Sequence, residues 1–186
     1  MSNTELLVKK SPYIIGIDLG TSNSAIAVFI KGQAEIMPIE GSKTFPSVLA
    51  MRNGEFVVGR QARARQMIDP ENTVSSIKRE IGGSWTKEFN DKPGKVYTPT
   101  DISAEILSQL VFKAEQAGTV ELQGTPYYAV ICIPANFNDT QKTATIEAGK
   151  LAFLDVLYLL EEPVAAAIAY AMEKERDQTI LVYDLG

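Results

Sequence analysis

Histidine is absent from the 186 residues of this chain, and cysteine occurs once, at Cys132. The first absence removes Ser–His and Cys–His nucleophilic catalysis, imidazole acid–base chemistry and histidine metal sites together. A lone cysteine cannot close an internal disulfide, so a reducing, cytoplasmic compartment is expected. Long apolar runs are missing as well: none approaches the roughly twenty residues that a membrane-spanning helix needs. Before Pro12 the apolar stretch is Leu6-Leu7-Val8, followed by Lys9-Lys10, which is too short and in the wrong order for a signal peptide. Residues 1–12 read as a flexible tail. Nor does the GxxxxGK[ST] phosphate loop occur.

What is present is the composition of an ordinary soluble globular protein, 45% hydrophobic and 22% charged. The length suits one good-sized domain, or one domain with a small satellite. A net charge of −5 weighs against nucleic acid or an anionic membrane surface as partner.

Strands alternate with helices along the chain. Tyr13–Leu19 and Ala25–Lys31 flank Gly20-Thr21-Ser22-Asn23 as a hairpin, and Ala34–Pro38 extends it to a meander. Between Ile39 and Ala62 two short strands, Ser47–Arg52 and Glu55–Val58, meet across Asn53-Gly54. The pattern predicts a short helix over Thr73–Ile81, and a loop from Gly82 to Thr100. Thr100 or Asp101 is positioned to cap a helix Ile102–Gln116 with the apolar stripe Ile106, Leu107, Leu110, Val111 and Ala114. The second half reads as βαβαβ: strand Tyr127–Ile133, a helix capped by Asp139 or Thr140 and running to about Leu151, strand Val156–Leu160, helix Val164–Lys174 opened by Pro163, and strand Thr179–Tyr183. Together these predict an α/β fold with a mixed five-stranded sheet and flanking helices.

Acidic residues stand at the strand ends: Asp18, Glu161-Glu162 and Asp184. Ligands of open α/β sheets collect there. Converging carboxylates repel one another by roughly a few kcal/mol at an effective dielectric near 20. An all-oxygen set of this kind favours Mg²⁺. The hydroxyl-rich turn Thr21-Ser22-Asn23-Ser24 beside it offers donors to phosphate. Each feature also has a plain structural reading. Asp-Leu-Gly is a common turn, Glu161-Glu162-Pro163 a good helix start, Lys78-Arg79-Glu80 a solvated face, and Cys132 a small core residue. The joint occurrence of "YIIGIDLG" and "TILVYDLG" with a strand-end Glu-Pro is harder to obtain from packing alone.

The stretches "IIGIDLGTSNSAIAVF", "TFPSVLA", "NTVSSIKREIG", "PANFNDTQKTATIEAGKLAFLDVLYLLEEPVAAAIAYA" and "LVYDLG" occur in the order seen in the heat-shock 70 (DnaK-type) chaperones. The chain resembles the first lobe of their nucleotide-binding domain from Tyr13 to Gly186. The long "PANFNDTQKTAT" segment is specific to that family, whereas the Asp-Leu-Gly turns are shared with actin-like filament ATPases and sugar kinases, the alternative readings. The resemblance implies a ribonuclease-H-like subdomain over residues 13–38 and 118–186, a smaller inserted α+β subdomain over 39–117, and a second lobe and peptide-binding domain lying outside this sequence.

It also implies ATP/ADP with Mg²⁺, and K⁺ as a further ion, as cofactors of an ATP hydrolase that drives polypeptide binding and release. Asp18 and Asp184 match aspartates that hold Mg²⁺ through water. Gly20, Thr21, Ser22 and Asn23 match the first phosphate loop, and Asp184 and Gly186 open the second. Lys78 matches the catalytic lysine at the γ-phosphate and attacking water, and Glu162 the glutamate that orients that water. Pro134 and Lys142 match a proline and an arginine that relay nucleotide state between domains.

Partners implied are unfolded polypeptide clients, a J-domain co-chaperone and an exchange factor. This sequence alone is expected to bind Mg-ATP weakly, to lack ATPase activity and to self-associate. Three departures stand out: lysine for arginine at Lys142, valine for threonine at Val164, and a short Gly82–Thr100 stretch.

Overall fold

In a computed structural model of the chain, residues 13–118, 127–172 and 179–182 are described. The fold begins with strands β1 (Ile14–Asp18), β2 (Asn23–Ile30) and β3 (Gln33–Ile36), the expected meander. Then come the two-residue strand β4 (Phe45–Pro46), β5 (Val48–Arg52), β6 (Glu55–Val58) and helix α1 (Arg60–Arg65). Strand β7 (Thr73–Ser75) leads into a 3₁₀ turn at Ile77–Arg79, followed by the hairpin β8 (Lys87–Phe89) and β9 (Lys92–Tyr97). Helix α2 (Pro99–Gln116), strand β10 (Tyr127–Ile133), helix α3 (Asp139–Leu151), strand β11 (Leu154–Glu161) and helix α4 (Glu162–Met172) complete it.

The main sheet is mixed, as the sequence predicts. Its strands run in the order β11-β10-β1-β2-β3, with β4 pairing to the start of β2. β1 is parallel to β10, and β10 to β11, while β2 and β3 are antiparallel to their neighbours. Alternation then divides the sheet into two unlike faces. Ile15 and Ile17 on β1, Ile26 and Val28 on β2, and Ala129 and Ile131 on β10 are all buried in one cluster with Ile106, Leu107, Leu110, Val111 and Ala114 of α2. Each fully buried Ile or Leu here contributes about 1.5–3 kcal/mol. This core draws on residues both before and after Ala117, so α2 covers the sheet rather than standing apart from it. α3 lies against the same face: an added Cβ at Gly149 would fall 2.4 Å from Val156 Cγ2. The other face is open, with Ile14, Phe29 and Tyr158 exposed.

Several local expectations are corrected. The helix predicted over Thr73–Ile81 is a strand followed by the 3₁₀ turn, broken at Ser76, which takes left-handed backbone angles (φ 58°). The loop predicted from Gly82 to Thr100 contains the β8–β9 hairpin, held by edge-to-face packing of Phe89, Tyr97 and Phe56. α1 has no apolar periodicity and buries only Ala62, so no helix is predicted there. α2 is capped by Thr98, not Thr100 or Asp101; Asp101 instead closes a capping box with it. α3 is capped by Asn138, not Asp139 or Thr140, with Gln141 as its reciprocal partner. α4 begins at Glu162 itself, ahead of the predicted Val164. Thr179–Leu181 and Val182 form no strand, and Tyr183 of the predicted last strand lies outside the described residues. Residues 1–12 lie outside them too. Among the described residues no helix is long and apolar enough to cross a membrane.

Candidate functional site

The carboxyl ends of β1, β10 and β11 stand side by side. Register places Asp18 opposite Cys132, and Cys132 opposite Leu160, so Asp18 and Cys132 share a row on the open face of the sheet. The Cys132 thiol is pushed up to about 11, first by burial, then by the negative charges of Asp18 and Glu162, with Lys78 pulling the other way. One side chain therefore feels all three groups. Glu162 follows β11 and bonds to Lys78, so Asp18, Lys78 and Glu162 all stand at the carboxyl end of the parallel strands, although 60 and more residues separate them along the chain.

Each arrives by a different local device. Asp18 ends β1 where the hairpin turns. Lys78 sits in the 3₁₀ turn that Ser76 redirects, and it is buried. Beyond it, Gly82 (φ 76°) brings this segment so near α3 that an added Cβ would stand 3.0 Å from the Gln141 backbone. Glu162 is the first residue of α4, where the helix dipole favours a carboxylate. Lys78 Nζ donates to Glu162 Oε1 at 2.5 Å, with 8% and 26% of the two side chains exposed. The solvated-face reading of Lys78 fails on its burial. Cys132, read as a small core residue, is half-buried at the floor of this cluster.

The hydroxyl-rich turn follows Asp18 directly. Gly20 is required there because an added Cβ would lie 2.1 Å from the Asn23 carbonyl oxygen. Thr21 is half-buried, and Ser22 and Asn23 are exposed. Behind the turn the buried hydroxyls of Ser24 and Ser47 share a hydrogen bond of 2.8 Å. The Ser22 carbonyl accepts from Ser47 N at 3.0 Å and from Arg63 Nη2 at 2.7 Å; the same Arg63 nitrogen reaches Asn23 Oδ1 at 3.2 Å. Sequence reasoning missed Arg63, and no local pattern marks it, since it lies 41 residues from Ser22.

Two further candidates are Pro134 and Lys142. Pro134 follows β10 and accepts from the Phe137 amide at 3.2 Å. Lys142, in the first turns of α3, lines an open depression with Ile133, Ile146, Glu161 and Val164. Adjacent Glu161 and Glu162 thus serve different surroundings, one beside Lys142 and the other on Lys78. Val164 lines the same depression as Lys142. Asp184 and Gly186 lie outside the described residues.

Asp18 offers hard oxygen donors of the kind an Mg²⁺ ion takes, while among the described residues no three His, Cys, Asp or Glu side chains gather into a metal-holding group. A turn whose backbone is pinned from behind, next to a carboxylate and a buried lysine, is suited to a polyphosphate and its counter-ion. Compared with known proteins, the chain matches the family model described as Hsp70 protein, over residues 14–93 and 88–186.

Proposed function

Because this chain belongs to the Hsp70 family, whose members are ATP-hydrolysing chaperones, we propose that the Asp18–Lys78–Glu162 cluster and the Gly20–Asn23 turn form the phosphate end of an ATP site that drives polypeptide binding and release. The observation that carries this reading is the bond from buried Lys78 to Glu162, the residue that follows β11, at the same end of the parallel strands as Asp18.

In this reading Thr21, Ser22 and Asn23 hold the phosphates through N–H and O–H donors. Asp18 would hold a magnesium ion, with Asp184 as its counterpart, and bound magnesium would neutralise the developing phosphate charge. Lys78 places its ammonium against the γ-phosphate and the attacking water, and Glu162 accepts a hydrogen bond from that water. The direct Lys78–Glu162 bond must then be shared with the entering phosphate and water, so the pair keeps both side chains in their working rotamers beforehand. No covalent intermediate is needed, which agrees with the absence of histidine and of any low-pKa thiol. Positioning and charge neutralisation supply most of the rate in phosphoryl transfer.

The domain division proposed is a ribonuclease-H-like unit of residues 13–38 and 118–186, with residues 39–117 inserted. α2, from the end of the insert, is the helix that ties the two cores into one. A J-domain co-chaperone, an exchange factor and unfolded polypeptides are the proposed partners, and the cytoplasm the proposed site of action.

The test is equilibrium titration of the intact protein with ADP, in Mg²⁺ and in a chelator. Affinity should fall by at least tenfold without the metal, and Asp18→Asn should abolish that difference. Equal affinity in both buffers would remove Asp18 from its proposed role.

A further inference from the structure

A peptide group is planar and trans, so fixing its carbonyl on one side fixes the following N–H on the other. The Ser22–Asn23 peptide in the hydroxyl-rich turn is fixed in this way. Its carbonyl accepts from Ser47 N at 3.0 Å and from Arg63 Nη2 at 2.7 Å. The same nitrogen also holds the Asn23 side chain through Oδ1, at 3.2 Å. A single guanidinium therefore sets both the backbone and the side chain at the tip of this turn. Ser47 alone could hold the carbonyl, but it leaves the Asn23 amide free to rotate and brings no charge.

We propose that Arg63 is the positioning residue of the phosphate turn: by clamping Ser22 O and Asn23 Oδ1 from α1, it presents the turn's donors to the phosphates of a nucleoside di- or triphosphate. The proposal rests on the ATP-site reading above and adds to it a residue from a helix that no phosphate-binding pattern marks. A charge-assisted bond is stronger than a neutral one, and one guanidinium nitrogen, Nη2, serves both acceptors. Because Arg63 is exposed, water weakens the clamp, so its loss should tune affinity rather than abolish it.

The experiment is calorimetric titration of intact wild-type, Arg63→Ala and Arg63→Lys proteins with Mg-ADP and with adenosine, which carries no phosphate. Loss of the clamp should weaken Mg-ADP binding about threefold to tenfold in the alanine variant, on the scale of one exposed charge-assisted bond, and should leave adenosine binding unchanged. Should the alanine variant not fold, Arg63→Lys is expected to show the same phosphate-selective loss, reduced to about two- to threefold because the charge remains. Equal losses for both ligands would make Arg63 a general structural tie and overturn the proposal, as would unchanged Mg-ADP binding. Failure of the wild-type protein to bind Mg-ADP would instead bring down the ATP-site reading beneath it.

Discussion

Lys78 Nζ lies 2.5 Å from Glu162 Oε1, a contact that joins residues 84 positions apart and seats a nearly buried ammonium on the first residue of α4. A buried pair of this kind tolerates the loss of either partner poorly, because the survivor is left as an uncompensated charge.

Replacing Lys78 with alanine in the intact protein should lower single-turnover ATP hydrolysis by about a hundredfold or more, the usual scale for one electrostatic contact at a reacting centre. Glu162→Ala should slow hydrolysis as well, and ADP affinity should stay within a few-fold of wild type in both. Near-normal hydrolysis by the Lys78 variant would assign the pair to structure alone.

Cys132 gives a pH-dependent handle, being the one thiol in the chain. Its folded value of about 11 stands above the ordinary 9.0, so the folded state keeps a proton that the unfolded chain has released. This contribution to stability is complete below pH 9 and is lost as pH rises from there toward 11. Alkylation of the folded chain by iodoacetamide should therefore continue to accelerate as pH rises toward 11, past the point where an ordinary thiol of 9.0 levels off. A rate that levels off as for a thiol of 9.0 would show that neither burial nor the nearby carboxylates raise Cys132.

Gly149 tests how closely α3 approaches the sheet. In Gly149→Ala the new methyl meets Val156 Cγ2 at 2.4 Å, which should cost about 1–3 kcal/mol of stability by urea unfolding. Trimming the neighbour in a Gly149→Ala, Val156→Ala double variant should restore part of that loss, as expected for residues that share one contact. Additive losses would mean that the clash is relieved elsewhere.

Lys142 lines a depression with Glu161 and Val164, while Lys78 is bonded to Glu162. Lys142→Ala is expected to leave basal ATP hydrolysis within about twofold of wild type, since screened charges outside the reacting centre contribute little, and to weaken ATP-triggered release of bound peptide. A loss of basal hydrolysis as large as that of Lys78→Ala would place Lys142 in the reacting centre.

Much of this was legible in the residues. β10 is the run Tyr127–Ile133 that the pattern predicts, and the α2 stripe is buried where its spacing puts it, because apolar periodicity reports directly which face must leave water. Asp18 at a strand end, and Gly20 after it, were likewise readable from the order of residue types. What periodicity cannot report is structure held by distant contacts. Thr73–Ile81 has helical spacing, but Thr73 and Val74 gain a ladder with β5, and Ser76 then turns the chain. The β8–β9 hairpin is rich in Lys, Pro and Gly, and it forms because Phe89 and Tyr97 find Phe56. Caps moved by one to three residues, since Thr98 and Asn138 are chosen by which side chain reaches the third backbone N–H. The sequence by itself thus determined the alternation of strands and helices, the sheet's apolar face and the acids at its edge. Only the tertiary structure decided that Lys78 is buried on Glu162, that Asp18 and Cys132 share a row, and that Arg63 holds Ser22. Those relations depend on strand order and on long loops closing in space, and nothing local in the chain encodes which distant partner a charge will meet.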